Sequence, residues 1–503
     1  MSDALHRCLL IAAVGLPSGA FLILAIPAWS GWRWAERSVS TVVAAAFGLA
    51  TTSVLALGGI MAYNGEPVLT VSLGTWFGAG DFEFRLLLVA DGLSLPFAAL
   101  TALLGCLIGV FSRRYLHREP GYLRFYLLLA LFGAGVELVA LAGALELVFA
   151  GWELAGLSSA LLIAFFHERK KPVEHGLRAF LTYRACDVGL PAAVVWLHHA
   201  TGASIVTGAS IVTGGPGGGG WAGFQAPATT RDAILIGIAL LWAAMGKAAQ
   251  VPLGGWLPRA MEGPTPSSAI FYGAISVSLG PYLLLRTESV WAGGPAARIA
   301  IVAVGALTAA HATLVGRAQT DIKSALAYAS MTQAGMIIVE VGAGLRQLAL
   351  AHLIAHAALR SAQILRSPSL IHDHHHLERA MSRPLPSTGR HLERVFPRTV
   401  QAWLYRYALE RGYFDAWLAD HVVGGFVRLV RRADSLDDRW AQRLSGRSPV
   451  TRAGLARRRG PLSRAGLARR RASMTRAGLA RWRASVTVGR GESPTAGRGG
   501  RRS

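Results

Sequence analysis

Eleven apolar runs, each about as long as a bilayer core is thick, govern what this chain can fold into. They lie near 8–28, 38–62, 91–111, 123–142, 144–166, 177–198, 232–250, 267–285, 296–316, 324–342 and 346–366. Some twenty apolar residues in a helix cross the hydrocarbon, and lipid offers no partner to unpaired backbone, so runs of this length predict spanning helices. The chain is 503 residues long, 52% hydrophobic and 16% charged, too apolar for a soluble globule. The expected fold is all-α, a polytopic membrane bundle of about eleven transmembrane helices. The first run follows only His6 and Arg7 without a small-residue cleavage site, which predicts a retained helix. Between the second and third runs, Val68 to Leu73 and Phe82 to Val89 alternate apolar and polar around Gly78 and Gly80, the pattern of a short surface hairpin.

One pair of runs is interrupted. From Met245 to Leu285, Lys247 lies in an apolar helix that breaks at Val251-Pro252-Leu253-Gly254-Gly255 and turns through Gly263-Pro264-Thr265-Pro266 before the next run. Proline removes a backbone donor, so the broken segment must be buried in protein or line a wet cavity. A broken helix beside a buried lysine, near the midplane, is a candidate ion site.

Charge within a span costs a few kcal/mol or more unless it is paired, neutralised or hydrated. Glu146 and Glu153 are two turns apart on one face of the fifth run, while Arg184 and Asp187 are spaced to pair within the sixth. Asp321 and Lys323 open the tenth run, and His352, His356 and Arg360 form a stripe on the eleventh. Breaking a buried acid–lysine pair changes the proton affinity of both groups, and histidine titrates near neutral pH, so these residues suit proton relay. Glu137, Glu146, His311 and Glu340 read equally well as packing or wetting residues.

Other chemistry is poorly supported. Cys8, Cys106 and Cys186 are scattered through apolar runs and form no Cys-x-x-Cys pair, and Gly246-Lys247-Ala248 is not a phosphate loop. No cofactor and no metal are expected. His372, Asp373, His374, His375 and His376 adjoin no cysteine and sit at a span end. The net charge of +23 is mainly a tail property: residues 447–503 hold 16 arginines and one acid, Glu492, with TRAGLARRR-like repeats starting at Thr451, Ser463 and Thr475. Such a tail buries no core. Anionic lipid, rather than nucleic acid, is its expected contact. The loop from Ala200 to Thr230 repeats TGASIV and runs into glycines, suggesting a flexible insertion without chemistry. Residues 404–436 suggest an amphipathic surface helix. Arginine and lysine concentrate in alternate loops, which places the N-terminus outside and the C-terminal region inside a cell inner membrane.

Several motifs resemble one family. Gly246-Lys247-x-Ala249-Gln250-x-Pro252 with Trp256-Leu257, then Met261-x-Gly263-Pro264-Thr265-Pro266-x-Ser268-Ala269, resemble the antiporter-like membrane subunits of respiratory complex I, especially the L-type subunit (chain 5), and the related Mrp-type cation/proton antiporters. The resemblance extends over roughly 123–365. It implies that Glu153, in Trp152-Glu153-x-x-Gly156-Leu157, partners Lys247, and that Arg184 and Asp187 fill the family's Arg-x-x-Asp. It further implies that Lys323, in Asp321-Ile322-Lys323, is the central lysine, and that His352 and His356 are the paired histidines, with Arg360 replacing a lysine. Tyr272 stands where the family usually has histidine.

By this resemblance the fold is an inverted-repeat antiporter-like one with an incomplete second repeat. The expected divisions are 1–122 (N-terminal helices and hairpin), 123–295 (first repeat unit), 296–366 (partial second unit), 367–446 (cytoplasmic amphipathic region) and 447–503 (Arg-rich tail). The implied function is proton translocation within an NADH:quinone oxidoreductase-like complex whose redox centres lie in other subunits. Its implied partners are other membrane subunits, membrane lipid, and protons or small cations, with no nucleic acid. A cation/proton antiporter, an inorganic-carbon transporter subunit and a non-pumping structural subunit remain as alternatives.

Overall fold

The computed structural model describes residues 2–32, 34–79, 82–212, 221–381 and 397–418, together with residues 421, 428, 432–437 and 440. Residues 1–419 form one compact unit. Residues 420–503 form a second, in which 432–437 are helical. The Arg-rich tail lies outside the described residues, as do the side chains of His372 to His376.

Ten helices of the first unit are long and apolar enough to cross a membrane. They begin with α1 (Ser2–Ser30), α2 (Glu36–Asn64), α3 (Ser94–Tyr115), α4 (Tyr122–Leu141) and α5 (Leu145–Ile163). The sixth span, Lys170–Thr201, comprises α6 (Lys170–Asp187) and α7 (Gly189–Thr201), which meet at Val188. The seventh apolar run of the sequence is α8 (Thr230–Lys247), whose 18 residues include Arg231, Asp232 and Lys247 and which is not among those ten. After it the chain breaks into a 3₁₀ turn at Leu253–Trp256, α9 (Leu257–Ala260), α10 (Thr265–Ser267), a π-helical stretch at Ser268–Ile275 and α11 (Ser276–Arg286). Then follow α12 (Glu288–Trp291), α13 (Pro295–Gly316), α14 (Ile322–Gly342) and α15 (Arg346–Met381).

Two helix pairs share one device. In α4 and α5, Gly135 and Gly151 face each other so closely that a Cβ on either would strike partner backbone. Gly305 and Gly335 do the same for α13 and α14. Small residues let backbones approach where lipid supplies no hydrophobic drive between helices. Val139 covers Gly151 in the first pair and Val339 covers Gly305 in the second. The valine is thus on the first helix of one pair and the second helix of the other.

The expected hairpin is present as β1 (Val68–Ala79) and β2 (Phe82–Asp91), antiparallel with Val68 opposite Asp91. The reading of residues 200–230 as a flexible insertion needs correction on either side of 213–220, which lie outside the described residues. β3 (Val206–Val212) pairs with β4 (Trp221–Phe224), and Trp221, Ala222 and Phe224 are buried. Ser204 donates to Glu146, so that acid ties the loop to α5. The β-branched Val206, Thr207, Ile211 and Val212 supply the strand preference that the glycine run obscured.

A single amphipathic helix over 404–436 is also not what forms. α16 (Arg398–Leu409) ends in a turn in which Arg411, Gly412 and Tyr413 all have positive φ, before α17 (Phe414–Trp417). This segment returns to the bundle. Tyr407 Oη lies 2.9 Å from His311 Nδ1, and Asp415 is held by both Arg178 and Arg259, at 2.7 Å from Arg259 Nη2.

Candidate functional site

The break after Lys247 is buried in protein, and its backbone finds partners there. Val251 N donates to Thr308 Oγ1 at 3.0 Å, Trp256 Nε1 donates to Gly246 O at 3.0 Å, and Gln250 Nε2 donates to Ala248 O at 2.7 Å. Ala249 holds a left-handed backbone at φ 52°, a strained geometry for a residue with a Cβ. Neighbouring side chains thereby replace the hydrogen bonds a continuous helix would have made.

Lys247 is fully buried. Its Nζ donates to Trp152 O at 3.1 Å, lies 4.4 Å from the Tyr183 ring centroid and 5.4 Å from that of Trp152, and stands 3.9 Å from Asp187 Oδ2. Asp187 Oδ1 accepts from Trp152 Nε1 at 2.6 Å. Arg184 Nη2 reaches Asp187 Oδ2 at 3.4 Å while pairing closely with Glu153. The four charges form a row, Glu153, Arg184, Asp187, Lys247. Side-chain exposure falls along it from 21% and 38% at Glu153 and Arg184 to 3% at Asp187 and zero at Lys247.

This row revises one implied contact. Glu153 does not pair with Lys247; it binds Arg184, and Asp187 is the carboxylate that faces the lysine. Trp152 and Tyr183 were absent from the sequence-derived site, although Trp152 belongs to the matched Trp-Glu motif. Together they give the ammonium two aromatic faces and a carbonyl.

Gly156 makes room for the amine, since a Cβ there would overlap Nζ. Gly156→Ala is therefore expected to push the amine off Trp152 O. Losing one charge-assisted bond costs about 1.5–3 kcal/mol of stability, and thermal unfolding in detergent should register the lowered midpoint. An unchanged midpoint would show that Trp152 O does not hold the amine.

The remaining predicted residues lie on a second face. Tyr272 sits in the π-helical stretch, donates to Ser159 O at 2.6 Å and meets Trp256 edge to face. Arg360, on α15, packs its aliphatic stem beside the neighbouring Gly273 and donates to Gln363 Oε1 at 2.8 Å. His356 is buried, with Nε2 unpartnered among the described residues. His352 bonds Glu340 and Gln333 on α14. The stripe on α15 thus faces α14 and the π-helical stretch, and that stretch separates it from the Lys247 row. Lys323 is in the first turn of α14, partly exposed, with no ion pair among the described residues. Asp321 caps that helix by accepting from Ser324 N at 2.8 Å.

A multi-pass α-helical bundle with a broken helix, a buried lysine at the break and a row of alternating charges leading to it defines an antiporter-like membrane protein. The chain belongs to the NADH:quinone oxidoreductase/Mrp antiporter family. The transmembrane model of that family matches residues 142–385, and a model of the NADH-ubiquinone oxidoreductase (complex I) chain 5 N-terminus matches 76–126. NADH-quinone oxidoreductase subunit L of Escherichia coli K12 is 34% identical over 372 residues, which cover 73% of this chain and 58% of that relative. NAD(P)H-quinone oxidoreductase chain 5 of a Picosynechococcus species is 32% identical over 66% of this chain and 48% of that relative. The chain therefore spans about half to three-fifths of the length of these relatives. Among solved structures, the Mrp complex from a Dietzia species matches with a TM-score of 0.59 and 26% identity, covering 71% of this chain and 37% of the matched one. A membrane-bound sulfane sulfur reductase, an archaeal respiratory membrane complex, shares the fold at a TM-score of 0.57 and 17% identity, over 71% of this chain and 70% of the other.

Proposed function

We propose that the chain translocates protons as a membrane subunit of an NADH:quinone oxidoreductase-like complex, set in a cell inner membrane with its N-terminus outside. The observation that carries this reading is the row from Glu153 to Lys247. Arg184 stands between two carboxylates, and its position decides how much of the negative charge of Asp187 remains to hold the ammonium. Drawn toward Asp187, Arg184 neutralises the partner of Lys247 and the lysine gives up a proton. Drawn back to Glu153, it restores the carboxylate and the lysine reloads. Movement of one guanidinium by an ångström or two is enough, because charges in a low-dielectric interior interact by several kcal/mol at these distances. His352, His356 and Lys323 carry protons onward from the lysine, with other membrane subunits and lipid completing the surroundings. Tyr272 takes part through its hydroxyl hydrogen bond, and Arg360, which keeps its proton, supplies a fixed positive charge beside the histidines.

Asp187→Asn tests this directly. The amide oxygen can still accept from Trp152 Nε1, so the fold is expected to persist while the charge facing Lys247 is lost. Proton uptake by proteoliposomes holding the assembled complex should fall at least about tenfold, and further than for Glu153→Gln, because Glu153 acts only through Arg184. Full uptake by Asp187→Asn would remove the row from the mechanism. The similarity to the Mrp complex supports a second reading, cation/proton antiport, which a strict sodium requirement for proton movement would favour.

A further inference from the structure

α14 and α15 form a tight helical hairpin joined by Ala343, Gly344 and Leu345, with Gly344 at φ 82°. The turn sets His352, in the second turn of α15, against the closing turns of α14. Its imidazole is held on both sides, with Nδ1 2.8 Å from Glu340 Oε1 and Nε2 2.7 Å from Gln333 Oε1. Gln333 and Glu340 are seven residues apart and so present one face of α14, which the ring spans. Glu340 is mostly buried, its side chain 14% exposed, and its Oε2 has no hydrogen-bond partner among the described residues. Glu340 lies in none of the matched motifs, so from spacing alone it reads as a packing or wetting residue.

We propose that Glu340 is a proton-carrying residue that exchanges a proton with His352, while the Gln333 amide oxygen holds the imidazole Nε2–H in each charge state. The proposal rests on the proton-translocating reading above. In the exchange the Nδ1–H bond of the imidazolium breaks and an Oε1–H bond forms, so an ion pair becomes a neutral imidazole and a neutral carboxylic acid with no change in total charge. The contact geometry supports the exchange: Nδ1 stands 2.8 Å from Oε1, and the buried Oε2 has no partner among the described residues.

Gln333 completes the arrangement. As an imidazolium the ring donates from both nitrogens, to a carboxylate and to an amide oxygen. After the exchange Nδ1 accepts from the new carboxylic acid while Nε2–H still donates to Gln333 Oε1, so the amide oxygen holds the ring in both charge states. The other charges nearby are engaged or distant from the ring. Arg346 binds Glu288 at 2.5 Å, and Arg360 binds Gln363 two turns further along α15. His356, one turn from His352, is the next group able to receive a proton.

A fixed clasp between two helices would use the same contacts, so the test separates shape from proton capacity. Glu340→Gln keeps an acceptor for Nδ1–H but cannot carry a proton. Glu340→Asp keeps an acid and shortens its reach. In proteoliposomes containing the assembled complex, with rates scored per folded complex, Glu340→Gln should pump at least about tenfold more slowly than the parent, the scale of a positioned proton carrier. Glu340→Asp should recover part of that loss. Equal rates in the two variants, or a parental rate in Glu340→Gln, would overturn the proposal and leave a clasp. Lys247→Met is run alongside: parental pumping in that variant defeats the translocation reading itself, whereas its loss beside an active Glu340→Gln defeats only the role of Glu340.

Discussion

Lys247→Met is expected to stop proton translocation while leaving the bundle folded. Methionine retains most of the length and apolar bulk of the lysine stem, so the space against Gly156, Trp152 and Tyr183 stays filled. Only the titratable amine is lost. A buried ammonium is costly and is held here by one carbonyl, two ring faces and a carboxylate at 3.9 Å, so its removal need not destabilise the protein and can even stabilise it. Asp187 keeps Trp152 Nε1 and Arg184 as partners. The rate, by contrast, should fall roughly 100-fold or more, as when a positioned proton-transfer group is deleted. Thermal unfolding in detergent and initial rates of vesicle acidification measure the two quantities separately. Parental acidification by a folded Lys247→Met complex would exclude the amine from the path.

The spans were legible because lipid imposes a simple rule: a helix crossing it must be apolar over its length. All eleven apolar runs are helical, and α8, the one outside the ten long apolar spans, is the one that ends in Lys247. Pro252 with Gly254 and Gly255 marked the break, since they forbid continuous helix. Side-chain partners across the break were less legible. Spacing along one helix brought out the Arg184 and Asp187 contact, which is local, but which acid faces Lys247 depends on how α5, α6 and α8 turn about their axes. The resemblance named Glu153, and the packing of Trp152 against Asp187 places that second acid nearer. The fold at 398–418 was obscured differently: Arg411-Gly412-Tyr413 interrupts a helical pattern with left-handed backbone, and the purpose of Asp415 appears only when Arg178 and Arg259 are seen on either side of it.

Asp91 and Arg286 show the same limit at long range and give the largest stability effect expected of any single change. Each opens or closes an apolar run, 195 residues apart, and each reads from sequence as an ordinary flanking charge. In the fold both are buried, at 1% exposure. The Asp91 carboxylate receives Arg286 Nη1 at 2.6 Å and Nη2 at 3.1 Å, and also Leu93 N, Ser94 N and Ala222 N. Arg286 Nη2 continues to Tyr282 Oη, which donates to Ala140 O at 2.6 Å. One carboxylate therefore fastens β2, the start of α3, β4 and α11, and through Tyr282 the end of α4. Arg286→Leu would strand that carboxylate without its counter-charge, at a cost of about 3–5 kcal/mol, enough to consume much of the stability of a typical domain. Asp91→Leu should cost as much by stranding the guanidinium. Replacing both together removes both buried charges, and an apolar pair there should recover a large share of the loss. Unfolding midpoints of the two single variants and the double variant in detergent complete the cycle. If the double variant were as unstable as the sum of the singles, the stability would come from the separate bonds each residue makes to Leu93, Ser94, Ala222 and Tyr282, and not from the pairing of the two charges.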